Sequence, residues 1–272
     1  MGTALVTGAT SGIGEEFCWQ LAAAHHDLVV VARTVDRLEP LAERLRQVAG
    51  IHVEVLPADL ADPADVERVA RRLGEGGLGD GGRTTPPSTH EDPAAPAPIG
   101  LLVNNAGFGL GVPFLDDDLA HEERALDVMV RTVMVLSHAA GRAMVARGRG
   151  AILNVSSVAA DTGTGTYSAH KAWVRAFTEG LAEELRGSGV TATAVSPGLT
   201  HTRFHEAASV DVSAAPAWIW STPEQVVTAA LDAVRSGRVL VTPTPLYKVT
   251  AELTRLAPRG LVRSVVRHLP HM

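Results

Sequence analysis

The chain contains a single cysteine, Cys18, in 272 residues, so it can build neither an internal disulfide framework nor a cysteine-rich zinc site. No stretch approaches the run of roughly 18 or more apolar residues of a membrane-spanning helix. An excess of positive charge is missing too: 24 lysines and arginines face 30 acidic residues, and the formal charge of −6 argues against general binding to a nucleic-acid backbone. The histidines show no repeated metal-ligand spacing with acids or cysteine, so no metal is expected. A strand-like Ala4-Leu5-Val6 follows the first methionine almost at once and leaves no room for a signal peptide. The expectation is a protein made and kept in the cytoplasm.

What is present supports a substantial buried core, with 46% hydrophobic and 20% charged residues. Short β-branched runs alternate with longer helical patterns, which is the signature of βαβ units and a parallel sheet. Strands are expected near 3–7, 28–32, 52–56, 100–104, 150–155, 190–195 and 239–241. Helices are expected near 13–24, 37–48, 62–73, 119–147, 168–186 and 223–236. Runs such as Leu28-Val29-Val30-Val31-Ala32 are apolar on both faces, as they must be where helices cover both sides of a sheet. The fold class is a Rossmann-type doubly wound α/β sheet of about seven strands.

Two segments depart from this pattern. Residues 74–98 hold six glycines and five prolines, with Leu78 the only large apolar side chain, which predicts a flexible insertion rather than a domain linker. Residues 246–272 carry a charge of +4 against −10 for the rest, and Arg255, Arg259, Arg263 and Arg267 repeat among leucines and valines. This basic amphipathic tail is expected to cover a subunit or pocket edge, or to rest on an anionic membrane surface. Residues 1–245 are expected to form one domain.

The first strand runs into Thr7-Gly8-Ala9-Thr10-Ser11-Gly12-Ile13-Gly14, opening a helix. Gly8 permits a tight turn, Gly12 admits a pyrophosphate close to the backbone, and Gly14 lets helix and strand pack closely. Thr10, Ser11 and Ile13 supply backbone at a helix N-terminus, where unpaired N–H groups attract phosphate. Arg33 ends the second strand, where an acid would bind a ribose 2′-hydroxyl, and it favours NADP over NAD. Tyr167 and Lys171 lie four apart on a predicted helix and so share a face. A lysine ammonium there, with a positive nicotinamide ring, is expected to draw the tyrosine pKa down toward the working range.

These residues together resemble the short-chain dehydrogenase/reductase family in its compact single-domain branch. The resemblance rests on Thr7-Gly8-x-x-x-Gly12-x-Gly14, Asp59-Leu60, Asn104-Asn105-Ala106-Gly107, Asn154-Val155-Ser156-Ser157, Tyr167-x-x-x-Lys171 and Pro197-Gly198. It implies an NADP(H)-dependent oxidoreductase in which Tyr167 exchanges a proton with the substrate oxygen, Ser157 orients that oxygen, and Lys171 also holds the nicotinamide ribose. Asp59 and Leu60 should border the adenine, with Asn104, Asn105, Ala106 and Gly107 along the adenosine side. Pro197, Gly198, Thr200 and Thr202 should lie near the nicotinamide carboxamide and diphosphate. Phe108, Phe204, Trp218 and Trp220, with Leu110 and Phe114, should wall a pocket for a hydrophobic carbonyl or alcohol. The family also implies a homodimer or homotetramer.

Two departures from the family pattern stand out. Tyr167 lies ten positions after Ser157, a shorter interval than the family's usual one. Met129 occupies the position of the family's catalytic asparagine, and a thioether cannot hold a relay water as a carboxamide does. Thr132, one turn along, is the replacement to consider. A sensor or scaffold with weak catalysis is the alternative that Met129 supports.

Overall fold

The computed structural model describes residues 2–75, 96–202, 204, 216–244 and 247–248. Most of the expected 74–98 insertion and all but two residues of the 246–272 tail lie outside them. In chain order the elements are β1 (Thr3–Thr7), α1 (Gly12–Ala23), β2 (Asp27–Ala32), α2 (Val35–Ala49), β3 (Val53–Pro57), α3 (Pro63–Gly74) and β4 (Ile99–Asn104). There follow α4 (Leu119–Leu126), a π-helical turn (Asp127–Arg131), α5 (Thr132–Arg147), β5 (Gly150–Val155), a 3-10 turn (Val158–Asp161) and α6 (Gly165–Glu184). The remainder is β6 (Val190–Val195), a second 3-10 turn (Ala217–Ile219), α7 (Pro223–Arg235) and β7 (Leu240–Val241).

The strands form one parallel seven-stranded sheet in the order β3-β2-β1-β4-β5-β6-β7. Alternation along each strand divides the core. Ala4 and Val6 of β1 and Leu28 and Val30 of β2 face Phe17, Leu21, Leu38, Leu41, Leu45 and Val227 of α1, α2 and α7. Leu5, Val29 and Val31 face the opposite side, with Val69, Leu73, Leu136 and Met144 of α3 and α5. Burying each large aliphatic side chain contributes about 1.5–3 kcal/mol, so both faces of the sheet must be covered. Because β1 and β4 are neighbours, the chain leaves the sheet centre in both directions, and the crevice at that reversal lies at the C-terminal strand ends.

The helix expected at 119–147 forms as one stretch, Leu119–Arg147, with a π turn inside it where the Thr132 N–H donates to the Asp127 carbonyl. A one-residue excess of this kind leaves the hydrophobic period almost unchanged, so residue pattern alone could not reveal it. The combined stretch Leu119–Arg147 has a mean hydropathy of 1.2 over its most apolar window, yet 56% of that window is buried inside the protein, as in a core helix. At the centre of the molecule a polar ladder crosses the sheet. Asn104 Nδ2 donates to Asn154 Oδ1 at 2.9 Å and to Ser137 Oγ at 3.1 Å, and Asn154 Nδ2 donates to Thr178 Oγ1 at 2.9 Å.

Candidate active site

The turn after β1 is shaped by what its glycines leave room for. Gly8 adopts φ +66° and Gly12 φ +54°, a left-handed backbone that disfavours a side chain. A Cβ on Gly14 would overlap the Gly8 carbonyl oxygen, and one on Gly12 would stand 2.8 Å from Thr202 Cγ2. The turn is fixed from behind by Asn105, whose Nδ2 donates to the Thr7 carbonyl at 3.0 Å and to that of Gly8 at 3.3 Å. Thr7 Oγ1 accepts from the N–H groups of both Asn105 and Ala106. Ser11 caps α1 without any side-chain hydrogen bond, so the first N–H groups of the helix are not taken up by the cap. A turn kept open by Gly8, Gly12 and Gly14, at a helix N-terminus with no side-chain cap, fits a dinucleotide pyrophosphate.

Cations ring the far end of this turn. Arg33 is exposed just after β2. Arg37, in the first turns of α2, donates from Nη2 to the Thr10 carbonyl at 3.0 Å. Arg37 and Arg44 line a cleft of about 240 Å³ with Thr10, Glu15 and Leu41. The sequence reading missed Arg37; its position one turn beyond Arg33, at the start of the helix leaving β2, is the clue that could have found it.

Ser157 lies beside Tyr167, near enough for its hydroxyl to favour the charged form of the phenol, and the Lys171 ammonium stands 5.7 Å from the centre of the Tyr167 ring. Lys171 Nζ also donates to the Val155 carbonyl at 2.8 Å, and the Ser157 hydroxyl accepts from the Ala159 N–H at 3.1 Å. The shortened interval between Ser157 and Tyr167 therefore folds as one 3-10 turn and a glycine-flanked entry to α6, and it still delivers the serine to the tyrosine. Electrostatically the pair departs from expectation. Burial pushes the Tyr167 phenol up to about 12 despite the opposing influence of the Ser157 hydroxyl, and burial brings the Lys171 ammonium down to about 8. Loss of solvation outweighs the lysine charge, so in the protein alone Tyr167 holds its proton at neutral pH.

Met129 is fully buried at the π turn. A Cβ on Gly107 would lie 3.4 Å from Met129 Cγ and Sδ and equally 3.4 Å from Lys171 Nζ, so thioether and ammonium flank the same glycine. Thr132 does not replace the missing amide: its hydroxyl donates to the Leu60 carbonyl at 2.7 Å.

Other expected contacts are redirected. Asn104 is buried in the polar ladder and does not line the cleft. Leu60 packs in the core beneath α3. Asp59 is gripped by Arg124 of α4 through two 2.8 Å hydrogen bonds. Burial raises its pKa, but Arg124, the Ala61 N–H and the charge of Arg33 more than offset this and hold the carboxyl below the usual range. Thr200 is buried and turns its hydroxyl back to the Gly198 carbonyl at 3.0 Å. Pro197 accepts the Val158 N–H at 3.0 Å, immediately beside Ser157. Phe204 packs on Tyr167 with ring centres 5.7 Å apart, and Phe108 stacks on His121 at the same separation. Trp220 stacks on His201, Phe114 is half exposed, and Trp218 is 72% exposed with no ring contact among the described residues. Among those residues no group of three metal-ligating side chains occurs.

The chain matches the family model for short chain dehydrogenases over residues 2–77 and 93–212. It is 35% identical over 205 residues to sulfoacetaldehyde reductase 2 of Chromohalobacter salexigens, an alignment covering 74% of this chain and 73% of that protein. Its structure resembles that of a short-chain dehydrogenase from Sphingobium yanoikuyae in complex with NADPH, at 33% identity, TM-score 0.79 and coverage of 99% and 96%. It also resembles a bulky-bulky ketone specific alcohol dehydrogenase from Comamonas testosteroni, at 27% identity, TM-score 0.74 and coverage of 96% and 93%.

Proposed function

The chain belongs to the short-chain dehydrogenase family, and from that premise we propose an NADP(H)-dependent oxidoreductase that interconverts a hydrophobic ketone or aldehyde and its alcohol, with Tyr167 as general acid and base. With its relatives it shares the chemistry of an NAD(P)-dependent oxidoreductase acting on small carbonyl and alcohol compounds. The observation that carries the finer reading is the placing of Ser157 and Lys171 beside Tyr167, with the Lys171 ammonium also against Gly107. Residues 1–245 act as one catalytic unit in this reading, in the cytoplasm. Exposed Leu126, Met134 and Val145 on α4 and α5 support a homo-oligomer formed through those helices.

A bound dinucleotide would supply the hydride for the carbonyl carbon. The backbone of residues 8–14 would hold its pyrophosphate, and Arg33 and Arg37 its 2′-phosphate. Asn105, Ala106 and Gly107 would floor the cleft, Lys171 would hold the ribose hydroxyls, and the loop of Pro197, Gly198, Thr200 and Thr202 would close the nicotinamide end. The Ser157 hydroxyl donates to the substrate oxygen as negative charge grows there. Tyr167 gives its Oη proton to that oxygen, completing the alcohol, and takes it back in the oxidative direction. The elevated phenol pKa suits the donor role, since the proton is present throughout the physiological range. Phe204 on Tyr167 and the buried Leu110 beyond Gly107 favour an apolar substrate. The ketone specificity of the Comamonas neighbour agrees with that choice.

Cofactor choice is tested at Arg33. Arg33→Asp is expected to lower kcat/KM with NADPH about a hundredfold, because a charge-assisted contact is replaced by repulsion, while kcat/KM with NADH holds or rises. Equal use of both cofactors by the wild type, or an unaltered NADPH affinity in the variant, would remove the preference.

A sensor with weak turnover is favoured by one observation, the Met129 thioether beside Lys171. Met129→Asn puts an amide where the ammonium has no solvation. We expect the alkaline limb of reduction to move up from near pH 8 by about half a unit to one unit, with a higher kcat. An unchanged limb and kcat would mean that Met129 limits nothing.

A further inference from the structure

The loop after β6 touches three parts of the site. Pro197 accepts the Val158 N–H beside Ser157, and Thr202 lies against Gly12. Between them Leu199 is held on both sides: its carbonyl accepts from the Ser221 N–H at 2.8 Å, and its own N–H donates to the phenol oxygen of Tyr247 at 3.1 Å. Tyr247 comes from beyond the last strand of the sheet. Its ring lies so close to Gly198 that a Cβ there would fall inside contact distance of Cδ2, Cε2 and Cζ at once. Gly198 is not among the glycines with a left-handed backbone. Its missing side chain is therefore required by the space Tyr247 occupies, and not by its own conformation.

We propose that Tyr247 is a positioning residue for the cofactor site: ring on Gly198 and phenol oxygen on Leu199, it sets the loop 197–202 and through it the Ser157 segment and the nicotinamide end of the cleft. The inference rests on the cofactor reading above, since the loop matters to catalysis only if a nicotinamide lies under it. It also gives the start of the basic tail a task at the active site, which charge and periodicity did not suggest.

The experiment uses the full chain as wild type, Tyr247→Phe, Tyr247→Ala, Gly198→Ala and the Tyr247→Ala/Gly198→Ala double variant, all first checked for folding by circular dichroism. NADPH affinity is read from nicotinamide fluorescence, and kcat and KM from ketone reduction below the melting temperature. Tyr247→Phe keeps the ring and loses the acceptor, so the NADPH Kd should rise about two- to tenfold. Tyr247→Ala should raise it more than about tenfold and lower kcat as well. Gly198→Ala should be severe alone but at least about fivefold milder when Tyr247 is alanine, because the space is then open. A purely structural role would lower the melting temperature and leave Kd and kcat of the folded variants unchanged; that result overturns the proposal, as does an equal cost of Gly198→Ala in both backgrounds. A wild type that binds no NADPH overturns the cofactor reading and this inference together. A wild type that binds it, with unaltered variants, overturns this inference alone.

Discussion

Replacing Tyr167 with phenylalanine is expected to cut turnover about a thousandfold or more while the NADPH dissociation constant changes by less than about threefold. The ring remains, and with it the contact to Phe204 and the burial that ties Tyr167 to the core on the α5 side of the sheet. Only the buried hydroxyl is lost, so stability should change by no more than about 1 kcal/mol. The pH dependence follows from the two neighbouring groups. In the proposed mechanism reduction needs a proton on Tyr167, which burial retains to about pH 12, and a charge on Lys171, which burial releases near pH 8. For the wild type, kcat/KM for reduction should therefore be flat at neutral pH and fall as pH rises through about 8, with the lysine and not the tyrosine setting the limb. Steady-state rates across pH and a fluorescence titration of NADPH check both statements.

Gly14→Ala should nearly abolish cofactor binding. The added methyl would overlap the Gly8 carbonyl oxygen, a backbone atom that cannot swing aside because Asn105 Nδ2 holds it and the Thr7 carbonyl together. Relief requires α1 to move away from β1, which opens the turn that cradles the phosphates. The expected cost is about 1–3 kcal/mol of stability and a loss of NADPH affinity of at least about a hundredfold. Gly180→Ala is the control: that glycine sits exposed on α6 with nothing within 4 Å of a Cβ, so the change should stabilise the helix by about 0.5–1 kcal/mol and leave binding untouched. Thermal melts of the two variants should move in opposite directions, and only Gly14→Ala should change the NADPH titration.

The parts of the site that could be read from sequence are those written in consecutive residues. The turn of Gly8, Gly12 and Gly14 and the pair Tyr167 and Lys171 depend on local spacing, and the structure brings them to one crevice. Ser157 reaches Tyr167 although the loop between them is short, because a 3-10 turn takes up the slack. What stayed hidden depends on residues far apart in the chain. Asp59 is paired across 65 positions with Arg124, so its carboxylate is already engaged. Leu199 is bound across 48 positions by Tyr247, a residue that composition assigned to a separate tail. Asn104 carries the same motif letters as Asn105, but strand alternation sends one amide into the polar ladder and the other to the glycine-rich turn. The direction of the Tyr167 shift was also out of reach, since it turns on how deeply the phenol is buried.

The account stands most directly on a single turnover. Protein loaded with one equivalent of NADPH is mixed with a panel of bulky ketones and aldehydes, and the nicotinamide absorbance is followed in the wild type and in Tyr167→Phe. The wild type should oxidise the bound NADPH with at least one apolar ketone and form the matching alcohol, while Tyr167→Phe binds NADPH equally well and leaves it reduced. Oxidation at the same rate in both proteins, or none with any carbonyl compound despite tight NADPH binding, would contradict it.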